Sequence, residues 1–342
     1  MNQYRKYSDR EAVPTEKSQN NRTTNIAPSQ GLQQRAVFII GIILVSAIFT
    51  SGCMNNTTTP ATQTGGITDS APFTVAVTIP PYREFAEAIG GDHVTVMVMV
   101  PAGASPHTYE PTPGQLRALA DTPLYLAVGS GIEFEEAWME SLTAVNPGMQ
   151  VVDTSAGITL LHTDEGDAPV TDTTVGTDGD IRYDPHIWLS PANARVIART
   201  IADAYITYAP ADAAYFEGQF ASYDAELEQL DQEIEETFAG TDKKTVLVYH
   251  PAWGYYADRY GLDMHAVETD GKEPSPANLQ KIISTAKENE IPVIFASPES
   301  PTRNAEAIAD EIGGQVVYIS PLAEDYTDNL VQVTDAFRTW GV

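Results

Sequence analysis

The sequence predicts an α/β protein of two halves, each a mainly parallel sheet flanked by helices, separated by one long helix. Three observations carry this reading. Strand-like and helix-like segments alternate from Phe73 to Thr154. The alternation restarts at Thr245 and runs to Ile319. Between them, Asp212 to Phe238 keeps an unbroken helical pattern. Such alternation is expected of parallel strands joined by helical crossovers and covered on both faces.

Taken in order, Phe73 to Ile79 alternates into an apolar strand that stops at Pro80-Pro81. Tyr82 to Ile89 reads as a helix closed by Gly90-Gly91, because glycine readily leaves the helical conformation. Val94 to Val100 is β-branched and apolar, as a buried strand requires. A helix from Thr112 to Ala120 opens on Thr112 and Pro113. Leu124 to Val128 is a strand, Glu133 to Ala144 a helix and Gln150 to Thr154 a short strand. Thr163 to Asp184 breaks the rhythm; rich in Asp, Thr and Gly, it is expected to be a long exposed loop. Pro191 to Tyr208 is helical, and Asp212 to Phe238 carries Leu227, Leu230 and Ile234 on one face before Gly240. The second half follows with strands at Thr245–Tyr249, Met264–Val267, Pro292–Ala296 and Gln315–Ile319. Its helices are Gly254–Tyr260, Pro276–Asn289, Arg303–Ile312 and Ala323–Trp340.

Charge separates the N-terminus from the rest. The chain has 342 residues and a formal net charge of -28, from 19 basic and 47 acidic side chains. Six of the basic and three of the acidic ones precede Cys53, so 13 and 44 remain beyond it. That balance excludes nucleic acid as a partner, since phosphate contacts need clustered Lys and Arg. Ala36 to Thr50 is an apolar run after Arg35. It is short for a spanning helix, which needs about 20 apolar residues, and fits the core of an export signal. Thr50-Ser51-Gly52-Cys53 follows at once and resembles the lipobox of exported lipoproteins, in which the cysteine is lipidated. An uncleaved signal anchor is the alternative. Cys53 is the single cysteine, which excludes an intrachain disulfide and a cysteine-rich zinc site. Residues 54–71, rich in Thr, Asn and Gly, read as a flexible tether.

Three of the six histidines sit beside prolines in separate segments: Ser105-Pro106-His107, Asp184-Pro185-His186 and His250-Pro251. Imidazole is the commonest protein ligand for zinc-like metals, and a neighbouring proline restrains the backbone that aims it. His107 and His250 follow strands, where open α/β sheets bind ligands. The expectation is one metal site assembled from distant segments. Glu110 and Asp184 are candidates to orient the imidazoles, with N-caps or turns as the equal alternative, and Trp188, Trp253 and Tyr255 are candidates to wall the site. His93 and His265 read as packing or surface residues, His162 as a transient metal contact.

These local sequences resemble the zinc/manganese-type substrate-binding proteins of ABC importers, known as cluster A-I or cluster 9. The resemblance runs from about Phe73 to Trp340 and rests on several motifs in order. They are Gly91-Asp92-His93-Val94, Pro106-His107-Thr108-Tyr109-Glu110-Pro111, Asp184-Pro185-His186-Ile187-Trp188-Leu189, Tyr249-His250-Pro251-Ala252-Trp253-Gly254, Glu273-Pro274-Ser275-Pro276 and Ser320-Pro321-Leu322. Beyond the tail and signal over 1–53 and the linker over 54–71, it implies an N-terminal metal-binding lobe over 72–208, a rigid linking helix over 209–240 and a C-terminal lobe over 241–342. It further implies a metal between the lobes, held by His107 and His186 from one and His250 from the other. Histidine at the third position favours Zn2+ over Mn2+ or Fe2+, the alternative cargoes. The family's usual fourth ligand is the aspartate of an Asp-Pro-Leu turn, and here that turn begins with Ser320. Glu299 or water is left for the fourth position. The implied role is extracytoplasmic capture of Zn2+ by a membrane-anchored monomer and its delivery to an ABC permease with a cytoplasmic ATPase. An exported zinc hydrolase is the competing reading, since three imidazoles and an open position also activate water. Against it, no His-Glu-x-x-His pattern supplies a general base.

Overall fold

The computed structural model of the chain describes residues 71–162, 183–240, 245–268, 274–299 and 303–341. These belong to one compact unit, Ile67–Val342. The apolar run, Cys53, the linker up to residue 70 and the acidic loop over 163–182 lie outside the described residues. Among the described residues, no helix is long and apolar enough to cross a membrane.

Two lobes have the same plan. The first contains β1 (Phe73–Val77), α1 (Pro81–Gly90), β2 (Val94–Val98), α2 (Pro113–Leu119), β3 (Leu124–Ala127), α3 (Glu133–Val145) and β4 (Gln150–Asp153). Its strands are all parallel, in the order β2-β1-β3-β4. Then come α4 (Pro191–Tyr208) and the long α5 (Ala213–Phe238). The second lobe contains β5 (Thr245–Val248), α6 (Gly254–Tyr260), β6 (Asp263–Ala266), α7 (Pro276–Glu288), β7 (Val293–Ala296), α8 (Arg303–Ile312), β8 (Gln315–Tyr318) and α9 (Tyr326–Trp340). Its order, β6-β5-β7-β8, repeats that of the first, again all parallel. Each sheet reverses its direction of growth beside its first strand, which opens a crevice at the carboxyl ends of the strands.

The predicted elements are all present, with ends shifted by up to three residues. Asp212 belongs to a 3₁₀ turn, Pro210–Asp212, rather than to α5. The last helix starts at Tyr326 instead of Ala323, because the preceding residues turn back along the seam between the lobes. There Trp188 Nε1 donates to the Pro321 carbonyl at 2.8 Å.

Strand alternation explains how the lobes join. Side chains on a strand alternate between faces. Val75 and Val77 of β1, Leu124 and Leu126 of β3, Val246 and Val248 of β5, and Val293 and Phe295 of β7 all enter one continuous core with α5. The intervening Ala76, Tyr125 and Ala127 pack under α2 and α3, and Leu247, Ile294 and Ala296 under α7 and α8. The buried stripe of α5 (Phe216, Tyr223, Leu227, Leu230, Ile234 and Phe238) has helical spacing. Guanidinium forks pin α5 on both sides. Arg195 of α4 donates to Asp224 at 2.7 and 3.0 Å, and Arg259 of α6 to the buried Asp231 at 3.1 and 2.7 Å. Such two-pronged bonds fix orientation as well as distance. On the same seam, Glu84 of α1 accepts from Tyr223 OH at 2.7 Å and from Thr327 Oγ1 at 2.5 Å. The lobes therefore share a core and a pinned helix, which resists large rotation of one against the other.

Candidate metal centre

Each of the three histidines is delivered by a different local device. His107 lies in the segment between β2 and α2, and Gln115 ties the two ends of that segment together. Gln115 Nε2 donates to the Met99 carbonyl at 2.5 Å, and its Oε1 accepts from Tyr109 OH and from the Thr112 amide, both at 2.9 Å. The Thr112 hydroxyl accepts from the Gln115 amide at 3.2 Å, completing a capping box at the start of α2. His186 precedes a 3₁₀ turn, Ile187–Leu189, and its segment is fastened by Ser130 Oγ donating to the Pro185 carbonyl at 2.6 Å. His250 stands two residues beyond the end of β5, at the crevice.

The three imidazoles surround one cavity. His250 is central, with its ring centroid 5.2 Å from both His107 and His186. The cavity is about 30 Å³, room for little more than one water-sized body. Ile132, Glu133 and Trp188 from the first lobe and Ser297, Glu299 and Leu322 from the second also line it.

A carboxylate backs every imidazole at Nδ1. Glu133 Oε1 is 2.8 Å from His107, Asp184 Oδ1 is 2.7 Å from His186, and Glu268 Oε2 is 2.9 Å from His250. Asp184 Oδ1 also accepts from the His186 amide at 2.9 Å. A carboxylate at Nδ1 holds the proton there and leaves the Nε2 lone pair free for a cation. His186 Nε2 and His250 Nε2 stand 3.3 Å apart. Two nitrogens bound to one tetrahedral zinc at about 2.0–2.1 Å would stand about 3.3–3.4 Å apart. With both Nδ1 protonated, the facing lone pairs repel unless a proton or a metal lies between them. Among the described residues, no group of three or more His, Cys, Asp or Glu is already drawn together enough to hold a metal. His186 and His250 stand at the spacing of two ligands on one zinc, and His107 lines the same cavity.

Environment separates the histidines electrically. The hydrogen bond to Glu133 lifts the His107 imidazole above its ordinary range, against the opposing effect of burial. His250 moves the other way. Burial lowers it, and the hydrogen bond to Glu268 offsets only part of that. Burial pushes the Glu133 carboxyl up, but its hydrogen bond and charge pairing with His107 outweigh this, and it ends below its usual range.

Several expectations are corrected here. Glu110 is exposed, and it is Glu133, the first residue of α3, that pairs with His107. Trp188 lines the cavity, whereas Trp253 is buried in the core against Tyr256 and Phe337. Tyr255 acts through its hydroxyl, donating to the Asp184 carbonyl at 3.0 Å and accepting from the Leu161 amide at 3.0 Å. Ser320 Oγ donates to Glu299 Oε1 at 2.6 Å. His93 packs on Tyr215 and Phe216, His265 is near the surface beside Asp263, and His162 pairs with Tyr183 in an isolated antiparallel bridge. Glu133 and Glu268 were missed. Strand register could have found Glu268: Val248 pairs with Ala266, so residue 250 falls level with residue 268 two positions on.

Comparison with known proteins identifies the family of the chain. Residues 75–339 match the family described as zinc-uptake complex component A, periplasmic (ZnuA). The high-affinity zinc uptake system protein ZnuA of Bacillus subtilis is 28% identical over 288 residues, 82% of this chain and 88% of that protein. The manganese-binding lipoprotein MntA of Halalkalibacterium halodurans is 23% identical over 309 residues, 86% of this chain and 95% of that protein. A crystal structure of ZnuA superposes with a TM-score of 0.73 and 38% identity, covering 79% of this chain and all of that one. Two repeated parallel sheets around a pinned helix, with three carboxylate-backed imidazoles at their crevice, thus belong to a chain of the ZnuA family of metal-importer binding components.

Proposed function

We propose that this chain captures Zn2+ outside the cytoplasm through His107, His186 and His250 and hands it to an ABC permease driven by a cytoplasmic ATPase. The observation that carries the reading is the threefold pairing of imidazole with carboxylate around an ion-sized cavity. Neutral imidazoles suit zinc better than manganese, which favours oxygen donors. Mn2+ remains the second reading because a manganese-binding relative is similar over most of the chain. A cavity of about 30 Å³ is nearer the size of an ion than of an organic substrate, which favours a carrier over a hydrolase. Because the lobes share a core, release is expected through movement of the His107 segment rather than rotation of a whole lobe. The chain is proposed to act as a monomer anchored at the membrane, through lipidated Cys53 or an uncleaved signal anchor. Metal analysis and competitive titration with Zn2+ and Mn2+ test the reading. One Zn2+ per chain, held more tightly than Mn2+, is expected; failure to bind either metal would sink it.

Affinity should fall with pH. Metal and proton compete for the same nitrogens. His107, held above the ordinary imidazole range of about 6.5, takes up its proton first as pH drops. His250 is protonated only at more acidic pH. Zinc affinity is therefore predicted to begin falling above the ordinary imidazole range and to steepen below it. A titration flat from pH 8 to pH 5 would contradict imidazole ligation.

Gly254 provides a second check. A Cβ at this position would lie 2.3 Å from Asp184 Oδ2, and that carboxylate is buried and holds His186 by two bonds. Gly254→Ala should displace Asp184 and weaken zinc binding by about 10–100-fold, the usual cost of disturbing a ligand's outer partner. Calorimetric titration reads this directly, and an unchanged affinity would mean that Asp184 does not hold His186 for binding.

A further inference from the structure

Three neutral imidazoles give a bound Zn2+ no anionic partner, and Ser320, at the start of the Ser320-Pro321-Leu322 turn, supplies none. Resting on the zinc-capture reading above, we propose that Glu299 supplies the fourth ligand from the end of β7, and that Ser297 and Ser320 position it.

Placement makes this possible. β7 lies beside β5, and Val248 pairs with Phe295, so Ser297 falls level with His250 and Glu299 lies just beyond it at the crevice. Glu299 and Ser297 line the same cavity as the three histidines. Both oxygens of the carboxylate are oriented by hydroxyl donors. Ser320 Oγ donates to Oε1 at 2.6 Å, and Ser297 Oγ donates to Oε2. An ionised carboxylate has about four lone-pair sites, so two hydroxyl donors leave one on each oxygen for a metal.

Ser320 itself is committed. Its proton goes to Glu299, and its oxygen accepts from the Leu322 amide at 3.1 Å. Ligation by Ser320 would disturb this arrangement and add no charge. A glutamate on the neighbouring strand end supplies the anion instead. Three neutral imidazoles leave a bound Zn2+ with its full double charge in a half-buried cavity. One carboxylate halves it, which lowers the cost of burial.

The test compares full-length protein with Glu299→Gln, Ser320→Ala, the double variant Glu299→Gln/Ser320→Asp, and His250→Ala. Zinc affinity is measured by competition with a chromophoric chelator, and folding by thermal melting. Disturbing an outer partner costs about 10–100-fold in metal affinity, so losing a direct ligand should weaken Zn2+ binding in Glu299→Gln by at least about tenfold. Ser320→Ala should lose less, and the double variant should recover affinity because a carboxylate returns to the site from residue 320. Co2+ in place of Zn2+ reads the donor set. Its d–d bands should shift in Glu299→Gln and stay as in the wild type in Ser320→Ala. Unchanged affinity or unchanged Co2+ bands in Glu299→Gln, with His250→Ala still defective, would overturn the assignment of Glu299 and leave the three-histidine reading standing. If His250→Ala also binds as the wild type does, the underlying reading fails as well.

Discussion

Replacing His250 by alanine should abolish tight zinc binding, with a loss greater than the 10–100-fold typical of an outer partner. His250 is the hinge of the cluster: its ring lies 5.2 Å from each of the other two, and its Nε2 makes the 3.3 Å approach to His186. Its removal also leaves Glu268 without its imidazole at the crevice. The fold should tolerate the change, since His250 lies beyond the end of β5 and contributes nothing to sheet pairing. Calorimetry should therefore show little or no heat of zinc binding, while the melting temperature of the metal-free protein stays close to that of the wild type. Wild-type zinc affinity in His250→Ala would rule out this cluster as the site.

The largest expected loss of stability is at Trp188. Its side chain is fully buried, and its indole N–H bonds to the Pro321 carbonyl across the seam. Trp188→Ala removes a large apolar volume, for which Trp→Ala losses run about 3–5 kcal/mol, and leaves a carbonyl unpaired for about 1–3 kcal/mol more. Because one core serves both lobes, the damage cannot be confined to one of them. A fall of about 10 °C or more in melting temperature is expected, partly recovered by saturating Zn2+, since a ligand that binds only the folded state stabilises it. A variant melting within a degree or two of wild type would mean that the seam at Trp188 contributes little.

Local regularities made the fold readable. Alternation from Phe73 to Ile79 marks a strand, and the structure buries Val75, Ala76 and Val77 within it. Proline at the start of α2 and glycines at the end of α1 set boundaries that shift by only a residue. The three histidines were legible for the same reason, since each is framed by its own neighbours. Their carboxylate partners were not. Asp184, two residues from His186, was visible because the pairing is local. Glu133 and Glu268 meet their histidines across 26 and 18 residues, through β3–α3 geometry and strand register respectively. The pairing of Ser320 with Glu299 spans neighbouring strand ends in the same way. Trp253 was misread because its segment contains a ligand candidate, yet the short α6 that follows directs its ring into the core.

One zinc ion is proposed to be held by three imidazoles drawn from two lobes. X-ray absorption at the zinc edge of the loaded protein tests it most directly. One Zn2+ per chain is expected, with multiple-scattering features of three imidazoles at about 2.0–2.1 Å, reduced to two in His107→Ala. A bound zinc without imidazole scattering, or a spectrum unchanged in His107→Ala, would contradict it.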